Sequence, residues 1–314
     1  MTKLRAIDLF AGLGGFSEGA RLAGVETVWA ANHWPLAVQL HEKNHPQASH
    51  ICQDLNQADW REVPAHDILL ASPACQGHSV ARGKERSHHD ALRSTAWAVI
   101  ACAEYHMPNT IIVENVPEFM TKWNLYSVWA DALNKLGYSI SENVLNASDF
   151  GVPQRRHRAI VVATLDREAP VIVSPNMPHV PARCIIDDSI PMNRIDCKPR
   201  ADRTMIQIEN GRRIHGENFL VAYYGSEKNG RSLERPLGTV VTKDRFAYIR
   251  GDYMRMLSVD EYRRAMCFPK SYKLPSTKRD SVKMLGNAVP PPMAAGIITQ
   301  VCDLNVDQAD IIAN

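Results

Sequence analysis

Short apolar runs alternate with helix-like patterns through the first half of the chain. The apolar runs predict strands, and the 3.6-residue patterns predict helices; the strands are Leu4–Leu9, Val25–Ala31, Asp67–Ala71 and Thr110–Val113, and the helices are Phe16–Leu22, Leu36–Asn44 and Ala91–Tyr105. This alternation predicts a doubly wound, largely parallel α/β sheet. Ligands of such sheets bind beyond the carboxyl ends of the strands, so we expect the chemistry in the loops that follow them.

The character of the sequence changes after a last clear strand at Ala159–Leu165. Six prolines then interrupt polar segments with little helical spacing, at positions 170, 175, 178, 181, 191 and 199. We therefore expect a second, smaller region, rich in loops or β-strands, that begins near Asp166. Helices are expected again at Ser258–Met266, where Ser258 and Glu261 have the spacing of a capping box, and at Pro292–Cys302.

The composition adds a hint about the partner of this second region. The 314 residues are 45% hydrophobic and 22% charged, with a formal net charge of +2, which is typical of a globular protein and excludes a strongly basic one. The segment from Arg194 to Arg255, however, holds 13 basic and 8 acidic residues. Such a local excess fits a phosphate backbone, and it fits a solvated polar surface equally well.

Cysteine usage and hydropathy indicate where the protein works. The seven cysteines are an odd number and no two have Cys-x-x-Cys spacing, so we expect reduced thiols and a cytoplasmic location. The amino-terminal residues lack the pattern of a signal peptide, and no apolar run is long enough for a membrane span. We therefore expect neither export nor a membrane partner.

A glycine-rich loop follows the first predicted strand. It contains Phe10, Gly12 and Gly14, and a helix comes next, whose amino terminus favours partial negative charge. Alone, this pattern fits a nucleotide site, an S-adenosylmethionine site or a tight strand-to-helix turn. The second strand ends in Asn32 and His33, without the acid that grips ribose hydroxyls in a standard dinucleotide site.

Two further strand ends carry reactive side chains. Cys75 follows the Asp67–Ala71 strand, where an exposed thiol could act as a nucleophile or a buried one as a small apolar residue. Glu114 ends the Thr110 strand, at the same edge of the sheet. Each residue alone decides little.

Five motifs in this order resemble those of the DNA cytosine-5 methyltransferase family. They are Phe10-Ala11-Gly12-Leu13-Gly14-Gly15, Pro73-Ala74-Cys75-Gln76, Glu114-Asn115-Val116, Gln154-Arg155-Arg156-His157-Arg158 and Gly286-Asn287-Ala288-Val289. The resemblance covers nearly the whole chain and implies a Rossmann-like, S-adenosylmethionine-dependent methyltransferase domain. That domain would comprise residues 1–165 and 256–314, and residues 166–255 would form a target recognition domain.

The resemblance also implies the roles of individual residues. Cys75 would attack C6 of cytosine, Glu114 would hold N3 and the exocyclic amine, and Arg156 and Arg158 would contact the base O2 or the flanking phosphate. S-adenosylmethionine would be the methyl donor, held by Phe10, Gly12, Gly14, Trp34, Asp54 and Asn287. The substrate would be a cytosine flipped out of double-stranded DNA, contacted by Gln76, His78, Ser79 and Gln154.

Two positions depart from the family pattern. Ala74 stands where the family commonly has proline, and His33 stands where it usually has an acid before the adenine-stacking tryptophan. His33 can hydrogen-bond a ribose hydroxyl without a formal negative charge. We expect no metal site, because His78, His88, His89 and Asp90 are typical of a solvated polar loop. We also expect a monomer, and the resemblance allows a cognate restriction endonuclease as a partner.

Two other functions compete with this interpretation. A catalytically silent DNA-binding homologue would have no chemical need for Cys75, Glu114, Arg156 and Arg158 together. A nicotinamide-dependent oxidoreductase would need a ribose acid and a complete Gly-x-Gly-x-x-Gly, which the chain lacks.

Overall fold

The computed structural model describes residues 3–74, 94–224 and 227–313. A seven-stranded sheet forms its centre, with the strand order β3-β2-β1-β4-β5-β7-β6. These strands are β1 (Arg5–Leu9), β2 (Glu26–Asn32), β3 (Ser49–Cys52), β4 (Ile68–Ala71), β5 (Thr110–Asn115), β6 (Ser139–Asn146) and β7 (His157–Thr164). The first five are parallel, and β7 runs antiparallel to both of its neighbours. The predicted doubly wound α/β fold is confirmed.

Helices cover both faces of this sheet. They are α1 (Gly15–Leu22), α2 (Pro35–Asn44), α3 (Trp97–His106), α4 (Glu118–Lys122), α5 (Tyr126–Lys135), and, near the carboxyl terminus, α9 (Pro291–Val301) and α10 (Gln308–Ala313). Alternate residues of the central strands point to opposite cores: Ile68 and Leu70 pack with α1 and α9, whereas Leu69 and Ala71 pack with α3 and α5. Burial on both faces explains why these strands are continuous apolar runs.

A second sheet lies within residues 193–256. Its five antiparallel strands are β8 (Asn193–Arg194), β9 (Asn218–Ala222), β10 (Arg231–Ser232), β11 (Phe246–Arg250) and β12 (Tyr253–Met256), in the order β10-β9-β11-β12-β8. One face packs on α6 (Asp202–His215). The other face shares a core with α7 (Val259–Ala265), α8 (Lys278–Asn287), residues of α2 and Leu13 of the loop after β1.

Several observed elements differ from the predicted ones, and others were not predicted. The helix expected over Ala91–Tyr105 is observed as α3, from Trp97, after a short 3-10 turn at Ser94–Ala96; residues 91–93 lie outside the described part of the chain. The expectation of little helix after Asp166 is wrong for α6, which has 14 residues. Strands β3 and β6 and helices α4, α5 and α8 had not been predicted. The capping box at Ser258 and Glu261 is observed at the start of α7.

Candidate active site

A cavity of about 630 Å³ lies where the parallel strands end at their carboxyl edge. Its walls come from the segments after β1, β2, β3, β4 and β5, from the start of β7, and from the turn between α8 and α9. Eight of the residues predicted from the sequence line it: Phe10, Gly12, Trp34, Asp54, Glu114, Arg156, Arg158 and Asn287. The volume is in the range of small-molecule binding sites.

The loop after β1 is held in left-handed backbone conformations. Gly12 and Gly14 have φ values of 57° and 92°, and Phe10 has φ 61° although it carries a side chain. A non-glycine residue in this region stores strain that the surrounding structure must hold. Gly14 is the residue that precedes α1, and a Cβ there would lie 2.6 Å from the Tyr272 hydroxyl, so it shapes the loop from behind.

The turn after α8 closes the cavity against this loop. A Cβ on Gly15 would lie 2.0 Å from the carbonyl oxygen of Val289, and a Cβ on Gly286 would lie 2.5 Å from that of Val241. Both glycines therefore allow a backbone approach that no side chain would permit. Asn287 sits between these contacts, exposed and on the cavity wall.

One end of the cavity carries an aromatic ring and a carboxylate. The Trp34 indole is partly buried, and the Lys283 ammonium lies 4.1 Å from its ring centroid. Asp54 is exposed, and its Oδ1 accepts hydrogen bonds from the main-chain and side-chain nitrogens of Asn56. His33 also lines this end.

The opposite end carries a buried ion pair. The Nε of Arg158 lies 2.7 Å from Oε1 of Glu114, which is 5% exposed. The next residue, Asn115, donates from Nδ2 to the carbonyl oxygen of Pro73, so the end of β5 braces the loop after β4. Ala74, the last described residue of that loop, lines the cavity as well.

Arg156 and Gln154 are engaged with the main chain. Arg156 is 1% exposed, and its Nη1 donates to the carbonyl of Val240, while Nη2 donates to those of Gly286 and Ala288. Gln154 is fully buried; its Oε1 accepts from the Val240 amide, and its Nε2 donates to the Ala265 carbonyl. Both side chains tie β7 to segments that come much later in the sequence.

Asp8 is a cavity residue whose individual role the sequence analysis had missed. It is 1% exposed, and burial raises the pKa of its carboxyl to about 7, against the lowering effect of the Ser17 hydrogen bond. The available signal was a single acid in an otherwise apolar strand.

Some predicted residues cannot be placed. Cys75, Gln76, His78 and Ser79 lie outside the described residues, and so do His88, His89 and Asp90. Within the described ranges, no group of three or more His, Cys, Asp or Glu side chains could hold a metal ion. In the same ranges, no helix is long and apolar enough to cross a membrane.

Comparison with known proteins gives a consistent result. A family model described as C-5 cytosine-specific DNA methylase matches residues 4–303. The type II methyltransferase M.BsuFI of Bacillus subtilis is 28% identical over 94% of this chain and 71% of its own length. M.HhaI of Haemophilus parahaemolyticus is 27% identical over 92% of this chain and 91% of its own.

Solved structures share the fold. A putative DNA modification methyltransferase encoded within an E. coli prophage superposes with a TM-score of 0.70 at 20% identity, over 96% of this chain and 99% of that one. The S. pombe Dnmt2 methyltransferase superposes with a TM-score of 0.68 at 16% identity, with the same coverage.

Proposed function

Because this chain belongs to the C-5 cytosine-specific DNA methylase family, we propose that it methylates C5 of a cytosine flipped out of a specific duplex DNA sequence, with S-adenosylmethionine as donor. The observation that carries the proposal is the position of the Glu114–Arg158 pair. It stands at one end of a cavity that also receives the loop leading to Cys75 and the glycine-rich loop after β1.

The cavity fits S-adenosylmethionine by the chemistry of its walls. Phe10 and Trp34 offer aromatic surface to an adenine ring, and Asp54 offers a carboxylate to its amine. Gly12 leaves room for backbone approach, and Asp8 keeps one carboxylate oxygen, Oδ1, without a hydrogen-bond partner among the described residues. When bound, S-adenosylmethionine supplies an electrophilic methyl group on a positively charged sulfur.

The protein's own task is to make C5 of cytosine nucleophilic. The Cys75 thiolate adds to C6 and breaks the aromaticity of the ring, which leaves an enamine that is reactive at C5. Glu114 holds N3 and the exocyclic amine, and Arg158 both orients Glu114 and offers charge to O2 of the base or to the flanking phosphate. Once C5 carries the methyl group, its proton passes to water or a basic side chain, and the electrons of the C5–H bond expel the Cys75 thiolate from C6.

We assign Gln154 and Arg156 to positioning. The hydrogen-bonding nitrogens Nη1 and Nη2 of Arg156 are occupied by three main-chain carbonyls, so it holds the walls of the site in place. Gln154 does the same for the segment around Val240. The prediction that these side chains contact DNA remains a prediction.

The second sheet and α6 form the proposed target recognition domain, residues 166–255. Arg213 is exposed on α6 and free to read a base or a phosphate, whereas its neighbour Arg212 donates to Gly251 and Asp252. Arg213→Ala is expected to relax preference at one base by about 1–3 kcal/mol or to flatten the salt dependence, and Arg212→Ala to loosen the domain. Methylation of a randomised DNA pool at several salt concentrations distinguishes these outcomes.

His33 gives a test of the donor. The imidazole of His33 at the cavity rim offers ribose a weaker hydrogen bond than a carboxylate does, by about 1 kcal/mol. His33→Glu should therefore tighten S-adenosylmethionine binding in calorimetry. Unchanged or weaker binding would give His33 another task.

A covalent adduct tests the proposed function as a whole. Duplex DNA that carries 5-fluorocytosine should form a denaturant-resistant complex in the presence of S-adenosylmethionine, because fluorine blocks the final elimination. Cys75→Ser should abolish the complex, and Cys184→Ser, an exposed cysteine outside the cavity, should keep it. An adduct that survives in Cys75→Ser would refute the assignment of the nucleophile, and no adduct in the parent chain would refute the mechanism.

A further inference from the structure

A chain of buried polar side chains runs from the wall of the cavity towards the protein surface. Oγ of Ser17 lies 2.7 Å from Oδ2 of Asp8, and Nε2 of His41 lies 3.0 Å from the same hydroxyl oxygen. On the far side of the ring, Nδ1 of His41 lies 2.8 Å from Nε2 of His50. Asp8, Ser17 and His41 are each 1% exposed, whereas His50 is only half-buried.

The hydrogen bonds of this chain can be satisfied in two ways. If Asp8 is ionised, Ser17 donates to it, His41 donates to Ser17 through Nε2, and His50 donates to His41. If Asp8 is protonated, every donor reverses: Asp8 donates to Ser17, Ser17 to His41, and His41 to His50. The two arrangements differ by one proton on Asp8, and the reversal carries that proton stepwise to or from His50.

A second branch fixes the loop above this chain. Nε2 of His45 lies 2.9 Å from the Tyr272 hydroxyl, which donates to the carbonyl of Leu13 at 2.7 Å. The His45 and His41 rings stand 4.7 Å apart. The polar chain is therefore held rigidly beneath the same loop that lines the cavity.

Asp8 is poised to accept a positive charge. Its Oδ1 has no hydrogen-bond partner among the described residues, although the side chain is buried and lines the cavity. A buried orphan acceptor costs about 1–3 kcal/mol, so a cationic ligand that satisfies it binds with an advantage. Burial raises the pKa of Asp8 to about 7 and holds that of His41 well below its usual value, so the resting proton sits on the carboxyl near neutral pH.

The other charged and titratable groups around Asp8 come from every neighbouring element. They are Glu18 and Arg21 on α1, His41, Glu42 and His45 on α2, His50 on β3, Tyr272 before α8, and Glu114, Arg156 and Arg158 across the cavity. Glu18 is paired with Arg21, and Glu114 with Arg158. Among the described residues, the one basic group within 4.0 Å of Asp8 is the His41 imidazole, and burial lowers its pKa so that it stays neutral.

We propose that Asp8 senses the positive charge of the bound methyl donor, and that it releases its proton to solvent through Ser17, His41 and His50 when the donor binds. This inference rests on the proposed function, because it assumes that the cavity takes S-adenosylmethionine. The proton leaves the carboxyl for bulk buffer, and the negative charge left on Asp8 is balanced by the ligand.

The coupling has a definite sign. If ionised Asp8 is the form that binds, affinity rises with pH and levels off above about pH 7. Binding at pH 6 should release most of one proton, and binding at pH 8.5 should release almost none. S-adenosylhomocysteine has lost the sulfonium charge and should release fewer protons than the donor does.

Calorimetry in buffers of different ionisation enthalpy measures this release directly. S-adenosylmethionine is titrated into the full chain at pH 6 and pH 8.5, and the proton number is taken from the dependence of the heat on the buffer. Asp8→Asn keeps the shape of the side chain and should reduce the proton number at pH 6 to near zero. His66→Gln, at a histidine outside both the cavity and this polar chain, should leave the number unchanged.

The outcomes separate this inference from the proposed function. Binding of the donor with release of most of one proton at pH 6, lost in Asp8→Asn, supports the inference. Binding without proton release, or with the same release in Asp8→Asn, overturns it and leaves the proposed function intact. Absence of binding overturns the proposed function, and the inference falls with it. The pH dependence of the parent chain tests the same point if Asp8→Asn does not fold.

The path of the proton is tested by rate rather than by equilibrium. His41→Phe interrupts the chain without removing Asp8, so the proton number should persist while release, followed with a pH indicator in stopped flow, lags behind donor binding. His66→Phe, a substitution of a histidine outside this chain, should show no lag. Release that stays simultaneous with binding in His41→Phe would refute the path.

Discussion

Replacement of Arg156 by methionine tests whether this residue holds the walls of the active site together. The guanidinium donates to three carbonyls, at 3.0 Å to Val240 and at 2.9 Å to both Gly286 and Ala288. Methionine keeps most of the apolar stem and removes all three hydrogen bonds. The variant therefore isolates the polar contacts from the packing.

The expected loss is large because the Arg156 guanidinium is buried. A hydrogen bond from a charged donor contributes about 1.5–3 kcal/mol, and Arg156 makes three, but the desolvation of its charge offsets part of that sum. Three carbonyls would also lose their partner. We expect the free energy of unfolding to fall by about 3–5 kcal/mol, a large share of the 5–15 kcal/mol typical of a whole protein.

Urea unfolding followed by circular dichroism and by the fluorescence of the six tryptophans measures this change. Arg155→Met is the matched control, because Arg155 is the neighbouring arginine and is exposed. Its hydrogen bonds to Leu237 and Thr239 involve its main-chain atoms. Its variant should stay within about 0.5 kcal/mol of the parent chain. Hydrogen exchange at residues 237–241 and 286–289 should accelerate in Arg156→Met alone. A loss below about 1 kcal/mol with unchanged exchange would refute the positioning role.

Three further substitutions test other parts of the site. Glu114→Gln removes the charge beside Arg158 and should slow methyl transfer by about 10²–10³-fold, with donor affinity within about twofold; a smaller rate effect would contradict its role. Gly15→Ala places a Cβ 2.0 Å from the Val289 oxygen and should lower the free energy of unfolding by about 1–3 kcal/mol. An unchanged midpoint of thermal unfolding would contradict this expectation. The pKa of buried His45 is lowered to about 4, so the unfolded chain gains a proton near pH 6.5 that the folded chain does not, and stability falls as the pH drops from 6.5 to 4. In His45→Gln the loss of unfolding free energy between pH 6.5 and pH 4 should be smaller by up to about 3 kcal/mol. The same pH dependence in the variant and the parent chain would refute the lowered pKa of His45.

The parallel half of the fold is predictable because burial and sequence pattern agree there. Strands β1, β4 and β5 are buried on both faces, so their apolar runs are visible without a structure. Some of the elements missed are those where the pattern is inverted. In β6, Ser141 and Asn143 are buried because they hydrogen-bond the segment around Pro170 and Ile172, while Val144 is exposed.

Helix α6 is inverted in the same way. Thr204, Gln207 and Gly211 face the small sheet, and Ile206 and Ile214 are exposed. Gly211 is required there, because a Cβ would lie 2.2 Å from the Phe219 ring. Side-chain hydrogen bonds and close backbone packing therefore supplement a small apolar contact through Ile208, and the hydrophobic pattern alone gives only a weak signal for these elements.

The candidate site was predictable to a similar extent. Eight of the residues predicted from the order and spacing of the motifs line one cavity. What each arginine does there was not predictable, because the same guanidinium can meet a carboxylate, as in Arg158, or main-chain carbonyls, as in Arg156. That choice depends on which distant segment arrives beside it.

The return of the carboxyl-terminal helices to α1 has a consequence for synthesis on the ribosome. Helix α9 packs against α1 so closely that a Cβ on Gly19 would lie 2.4 Å from the Cβ of Ala294, and residues 284–289 close the cavity. These residues emerge only after the whole small sheet has been translated. A nascent or truncated chain that stops before residue 284 therefore lacks part of the cavity wall, so the order of translation ensures that the proposed DNA reader exists before the methylating centre is complete.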